Sequence, residues 1–186
     1  MTINLTREVL LHHAFSLIAE KGWEAFQLGD LCCRLAIKPD HLRLHLVSKE
    51  GLIKVLRDEL KEKLSREEVS FSSEAPVSEK LFEGIMRRFD LMMPYRSGLN
   101  SLLEAYSSSI LSPLVGLEEL LKSITDLCDS LGISLSLSDR WALTISYGFL
   151  IQTWSKDKTP DLSKTMSHLD QLLLTLEECS FFNEDA

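Results

Sequence analysis

The side chains with the widest chemical reach in this 186-residue sequence are its five histidines and four cysteines. His41 and His45 stand at i, i+4, a helical spacing that can grip a metal ion. A metal site needs at least one more ligand, and the neighbouring sequence suggests none, so no metal is expected. His12 and His13 are adjacent and face different directions on a helix. Cys32 and Cys33 are also adjacent. A disulfide between neighbouring residues is strained, and Cys32 falls on an apolar helix face, so a packing role is expected. Cys128 and Cys179 add no C-x-x-C pair, and the four read as reduced thiols of a cytoplasmic protein. The sequence lacks a glycine-rich phosphate loop, an H-E-x-x-H pair and a G-x-S-x-G elbow. Its carboxylates scatter over polar helix faces. No catalytic residue, no cofactor and no enzymatic activity are expected.

Binding is the remaining class, and charge bears on it. The formal net charge of −8 argues against a non-specific nucleic-acid binder. The charge is uneven, however. Residues 1–66 hold 11 Lys+Arg against 9 Asp+Glu, a net of +2, while 67–186 hold 9 against 19, a net of −10. A basic-leaning module on an acidic body fits that division. The opening MTINLTREVL has neither a basic n-region nor an apolar h-region, so no secretory leader is expected. The uncharged stretch 141–155 is too short for a membrane span and carries Thr, Ser and Gln.

The elements that must position these residues are helices. Hydrophobic residues make up 45% of the chain, with Leu dominant and only 8 Gly and 5 Pro, which disfavours a turn-rich β protein. Thr6 and Gly22 bracket a first helix over 7–21, with Leu10, Ala14, Leu17 and Ile18 on one face. A short helix over 28–35 turns Leu31 and Cys32 inward. Pro39 opens another that reaches Leu46, and Ser48 caps a longer one striped by Leu52, Ile53, Leu56, Leu60 and Leu64. Residues 65–78 read as a linker. Five further helices follow: one ended by Pro94, one through Leu99 to Tyr106, one opened by Ser112-Pro113 and stopped near Gly132, one opened by Ser138-Asp139, and a last one started by Thr159-Pro160-Asp161. That makes about nine helices and no strand.

Residues 7–56 have a helix-turn-helix layout. In the stretch from Pro39 to Leu46, Leu42 and Leu46 serve as apolar anchors, while His41, Arg43, Leu44 and His45 look outward, as a helix in a DNA major groove requires. Lys49 is placed to reach a phosphate. The alternative is that these are the short helices of an ordinary bundle.

Val9-Leu10, Ala14, Leu17-Ile18, Glu20, Gly22-Trp23, Asp30-Leu31, Leu42, His45 and Ser48-Lys49-Glu50 align without gaps to the N-terminal domain of the TetR-like transcriptional regulators, which this sequence resembles over about fifty residues. The resemblance implies an all-α, TetR-like fold, a homodimer, a C-terminal domain that binds a small ligand, and contact of the second and third helices with operator DNA. The implied contact set is Gln27, Lys38, Pro39, Asp40, His41, Arg43, Leu44, His45 and Lys49. Three departures stand out. Phe26-Gln27 replaces the usual Thr-Thr, Ala36-Ile37-Lys38 replaces Gly-Val-Ser, and Arg43, Leu44 and Leu46 replace the aromatics of the recognition helix. Each removes a phosphate donor or a cap, so weaker DNA binding than that of an intact family member is expected, with Arg43 a partial compensation.

The C-terminal half resembles a second group, the ubiquinone-biosynthesis accessory proteins, which share the TetR-like fold and bind isoprenoid lipids. The residues concerned are Arg88-Phe89-Asp90, Pro94-Tyr95, the run from Arg140 through Trp154, Asp157, Pro160-Asp161, Thr165-Met166 and Leu169-Asp170. Phe82, Met86, Phe89, Met93, Leu103, Tyr106 and Trp141, together with Met92, are candidates to line a pocket for a hydrophobic small molecule or lipid, with ordinary core packing the alternative for each. The expected organisation is a helix-turn-helix module at 1–47, a connecting helix at 48–64, and a ligand and dimer domain at 65–186. The leading expectation is a ligand-responsive, DNA-binding transcriptional regulator of TetR type, cytoplasmic and dimeric through its last two helices. The alternative is a lipid-binding protein on the same scaffold.

Overall fold

The computed structural model describes residues 5–66, 75–107 and 112–179. Among them are nine α-helices and one 3-10 turn: α1 Arg7–Lys21, α2 Leu28–Leu35, α3 Pro39–Arg43, α4 Gly51–Arg66, α5 Val77–Met92, the turn Met93–Tyr95, α6 Arg96–Ser107, α7 Ser112–Ser130, α8 Leu137–Lys156 and α9 Ser163–Glu178. No strand occurs among the described residues. The helices fall into two compact units. One comprises Met1–Glu62 and Met92–Pro113, the other Lys63–Leu91 and Leu114–Ala186. Of the linker expected at 65–78, residues 67–74 lie outside the described residues. Ser65 and Arg66 close α4, and Val77 and Ser78 open α5.

In the first unit α1 is the central element. Thr6 Oγ1 accepts a hydrogen bond from the Val9 amide at 3.3 Å and caps its start. Gly22 ends it at φ +85°, a conformation that suits glycine. Leu10, Leu11, Ala14, Phe15, Leu17 and Ile18 are all buried, so α1 needs neighbours on more than one side. α6 is one of them and comes in at backbone distance. A Cβ at Gly98 would lie 2.3 Å from the Phe15 carbonyl oxygen, so only glycine fits there. Phe15 also packs on Tyr95, with ring centroids 5.5 Å apart. α2 is tied to α1 from outside. Arg34 reaches both carboxylate oxygens of Glu20, at 3.0 and 2.6 Å, and Lys21 donates to Asp30 at 2.6 Å. Ala36 ends α2 in the left-handed region at φ +52°.

The second unit is built around α5 and α8. Phe89 of α5 is fully buried and stacks on Tyr147 and Trp154 of α8, at centroid distances of 5.9 and 5.2 Å. Arg88, 1% exposed, donates to the Ser123 carbonyl at 2.6 Å and to its hydroxyl at 2.7 Å, locking α5 to α7. Gly84 admits Leu127 of α7 and Leu131, just after that helix, against the α5 backbone. Burial pushes the Cys128 thiol up to about 11, which leaves it protonated and unreactive at neutral pH.

Three boundaries correct the sequence-based expectations. α3 stops at Arg43 and does not reach Leu46. The amides of His45 and Leu46 both turn back to the Leu42 carbonyl, at 2.9 and 2.8 Å, and this turn buries Leu42 and Leu46 together. α8 is capped two residues before the expected position: Ser136 Oγ accepts from the Asp139 amide, and Ser138 lies inside the first turn. α9 does not begin at Thr159-Pro160-Asp161. Asp157 gathers that segment into a turn, accepting from the Thr159 amide at 3.0 Å and hydroxyl at 2.5 Å with one oxygen, and from the Thr165 amide at 2.9 Å and hydroxyl at 2.8 Å with the other. Leu162, in the left-handed conformation, then leads into the helix at Ser163.

Burial alone would raise the Asp157 carboxyl pKa, but the hydrogen bonds from Thr159 and Thr165 outweigh it and hold the group well below the usual carboxylate range. A depressed folded-state pKa contributes stability above the unfolded value of about 3.9, and that contribution is lost as the pH falls through the folded value. Asp157→Ala should therefore cost about 2–3 kcal/mol at pH 7, and the gap to wild type should narrow in strong acid, as read by urea unfolding at pH 7 and below pH 3.

Candidate functional site

The surface with the strongest claim to function lies in the first unit, on α3 and the turn after it. Leu42 and Leu46 are each 2% exposed and fasten the segment to the unit. Between and around them, Lys38, Pro39, Asp40, Arg43, Leu44 and His45 are exposed, and His41 is half-buried. Gln27, the residue before α2, is exposed as well, and its amide donates to Asp30 Oδ2 at 3.2 Å. The Arg43 guanidinium lies 3.5 Å from Asp40 with its side chain 71% exposed, so the contact is a loose surface pair that leaves the group accessible. His41 and His45 meet edge to face with ring centroids 5.8 Å apart, and no third metal-ligating side chain joins them among the described residues.

Lys49 behaves differently from its neighbours. Its ammonium turns back, donates to the Trp23 carbonyl at 3.3 Å and sits 5.0 Å from the Trp23 ring centroid. Trp23 is itself pinned. Its amide donates to Ser101 Oγ of α6 at 3.2 Å, and its ring packs on Phe26 and Tyr106 at 6.4 and 6.1 Å. Lys49 thus joins the start of α4 to the end of α1, a role that sequence spacing does not reveal because Trp23 is 26 residues away. Sequence reasoning also passes over Val47, which is 82% exposed on the same turn. Its apolar type beside Leu44 is the only signal for it.

The pocket candidates fall in both units. Phe82, Met86, Phe89 and Trp141 belong to the second unit, and Met92, Met93, Leu103 and Tyr106 to the first. Phe89 is a core side chain, whereas Met93 and Trp141 are 42% and 37% exposed. Phe82 lines an open groove of about 330 Å3 with Ser78, Glu79, Asp170, Leu173, Leu174 and Glu177. Elsewhere in this unit, α8 carries Trp141, Ile145 and Phe149 at i, i+4, i+8, exposed by 37%, 50% and 62%, and α9 carries Leu174, 51% exposed. No described helix is long and apolar enough to cross a membrane.

The chain is similar in structure to the TetR transcriptional regulator of Nitrosomonas europaea, at 21% identity and a TM-score of 0.74, over 94% of this chain and 99% of that one. It is also similar to a TetR transcriptional regulator from a Rhodococcus species, at 18% identity and a TM-score of 0.58, over 91% and 97% of the two chains. No protein-family model matches the chain, and no curated protein matches it significantly in sequence. The fold is the all-helical TetR-type fold.

Because Lys49 is engaged by Trp23, its first effect should be on stability. Lys49→Ala should cost about 1 kcal/mol and lower Tm by about 2–4 °C in a thermal melt. An unchanged Tm would show that the contact contributes nothing in solution.

Proposed function

We propose that this protein is a DNA-binding transcriptional regulator of TetR type that acts as a homodimer. The observation that carries the reading is the surface around α3. Two buried leucines hold a short segment whose exposed side chains include a guanidinium, an imidazole, a lysine and an aliphatic group, the chemistry needed to meet phosphates and base edges. The wider structural similarity supports it. In this reading residues 1–47 form the DNA module, 48–64 connect it, and 65–186 carry the dimer and effector surfaces. Gln27, Lys38, Pro39, Asp40, His41, Arg43, Leu44 and His45 are the proposed contacts. Lys49 supports the module through Trp23.

The dimer is assigned to α8 and α9. Trp141, Ile145 and Phe149 form one stripe on α8, and a stripe of that size left in water is unfavourable unless a partner covers it. A second copy would cover it symmetrically and build a four-helix interface. Two modules so joined would read half-sites about 34–36 Å apart on one face of the duplex. A hydrophobic effector is proposed for the groove beside Phe82, Leu173 and Leu174.

Two measurements test this reading. The full-length protein should select a duplex from a random pool and bind it more tightly than a scrambled one. Arg43→Ala should then lose about 1–3 kcal/mol on the selected site and relax the preference at one position. Equal, weak affinity for both duplexes, unchanged by Arg43→Ala, would refute the reading. In sedimentation at micromolar concentration the wild type should run as a dimer and Phe149→Lys as a monomer. A wild-type monomer would exclude the α8–α9 interface.

A further inference from the structure

We infer that Leu44 reads the C5-methyl group of a thymine in each operator half-site; the inference rests on the DNA-binding reading proposed above. Leu44 is 80% exposed, although the leucines two residues to either side, Leu42 and Leu46, are each 2% exposed. The core of the unit is therefore served by its neighbours, and packing gives no account of an aliphatic side chain at position 44. The turn that places it is fixed, because the His45 and Leu46 amides both donate to the Leu42 carbonyl. Leu44 follows Arg43 directly, at the end of the helix whose exposed face carries the proposed contacts.

A leucine cannot exchange hydrogen bonds with a base edge. In the major groove the edges of guanine, adenine and cytosine offer only donors and acceptors, and thymine alone presents a methyl group. Against a thymine, Leu44 gains apolar contact. Against guanine or cytosine it strips water from polar atoms and replaces none of their hydrogen bonds. Both effects favour thymine, so one residue supplies attraction to the right base and rejection of the wrong ones. Val47, 82% exposed, lines the same groove of about 390 Å3 as Leu44, with Leu10, Val55 and Lys54. It lies beyond Leu46, off the helix that carries Arg43, and serves as the internal comparison.

The test uses the duplex selected by the full-length protein. Each thymine is replaced in turn by deoxyuridine, which removes the methyl and keeps the hydrogen-bonding edge. The wild type should bind about three- to fivefold more weakly when one particular thymine of a half-site is replaced, and should be indifferent elsewhere. Leu44→Ala should bind the thymine and uracil duplexes equally at that position, with an unchanged circular dichroism spectrum and Tm because the side chain is exposed. Val47→Ala should keep the difference. Selective binding that is indifferent to uracil at every position, or a selected site without thymine, would overturn the inference and leave DNA binding standing. Persistence of the effect in Leu44→Ala, or its loss in Val47→Ala, would overturn the assignment to Leu44. Failure to select any duplex would overturn the DNA-binding reading and this inference with it.

Discussion

The close approach of α1 and α6 is the constraint from which the rest of the first unit follows. With no side chain at Gly98, the α6 backbone lies against the Phe15 carbonyl, where a single added carbon would sit 2.3 Å from oxygen. That contact sets where Ser101 falls, and Ser101 in turn holds the amide of Trp23. Trp23 then takes the Lys49 ammonium at the start of α4. The chain of contacts runs from a missing methyl group to the segment that carries Arg43, although α6 lies far from that segment in sequence. Interiors packed to crystal density pass such constraints on because they have no slack to absorb them.

A different device governs the second unit. Its core is aromatic, with Phe89 against Tyr147 and Trp154, and it holds buried polar side chains by specific hydrogen bonds: Arg88 to Ser123, and Asp157 from Thr159 and Thr165. The buried side of α8 carries Leu143, Thr144, Tyr147, Leu150 and Trp154. Trp141, Ile145 and Phe149 stand exposed on the same helix, and they are apolar.

Much of this architecture is legible in the sequence wherever the deciding interaction is local. Thr6 and Gly22 mark both ends of α1, and Leu31 and Cys32 give the inner face of α2, because caps and helical spacing act within a few residues. Boundaries set by distant partners are not legible. The start of α9 depends on Asp157 meeting Thr165 eight residues away, which makes Thr159-Pro160-Asp161 a turn in spite of its cap-and-proline pattern. In the candidate site, the exposed character of Arg43 and Leu44 follows from their position between two leucine anchors. The retreat of Lys49 onto Trp23 does not, since it needs the tertiary fold. Composition likewise cannot separate Phe89, a core residue, from Trp141, an exposed one, because both are aromatic residues on helices with apolar stripes.

The turn between α2 and α3 is shaped by its first residue. Ala36 holds a left-handed backbone, φ +52°, at the position where glycine is the usual choice. A Cβ in that conformation is strained by about 1–2 kcal/mol. The same Cβ also removes conformations that glycine would sample in the unfolded chain, which offsets part of that cost. Once folded, the turn has few alternative shapes to visit. The segment bearing Arg43 and Leu44 is therefore held in one arrangement, with less conformational freedom left to lose in the contact with DNA proposed for it. A methyl group that works against folding at one residue can in this way favour recognition a few residues later.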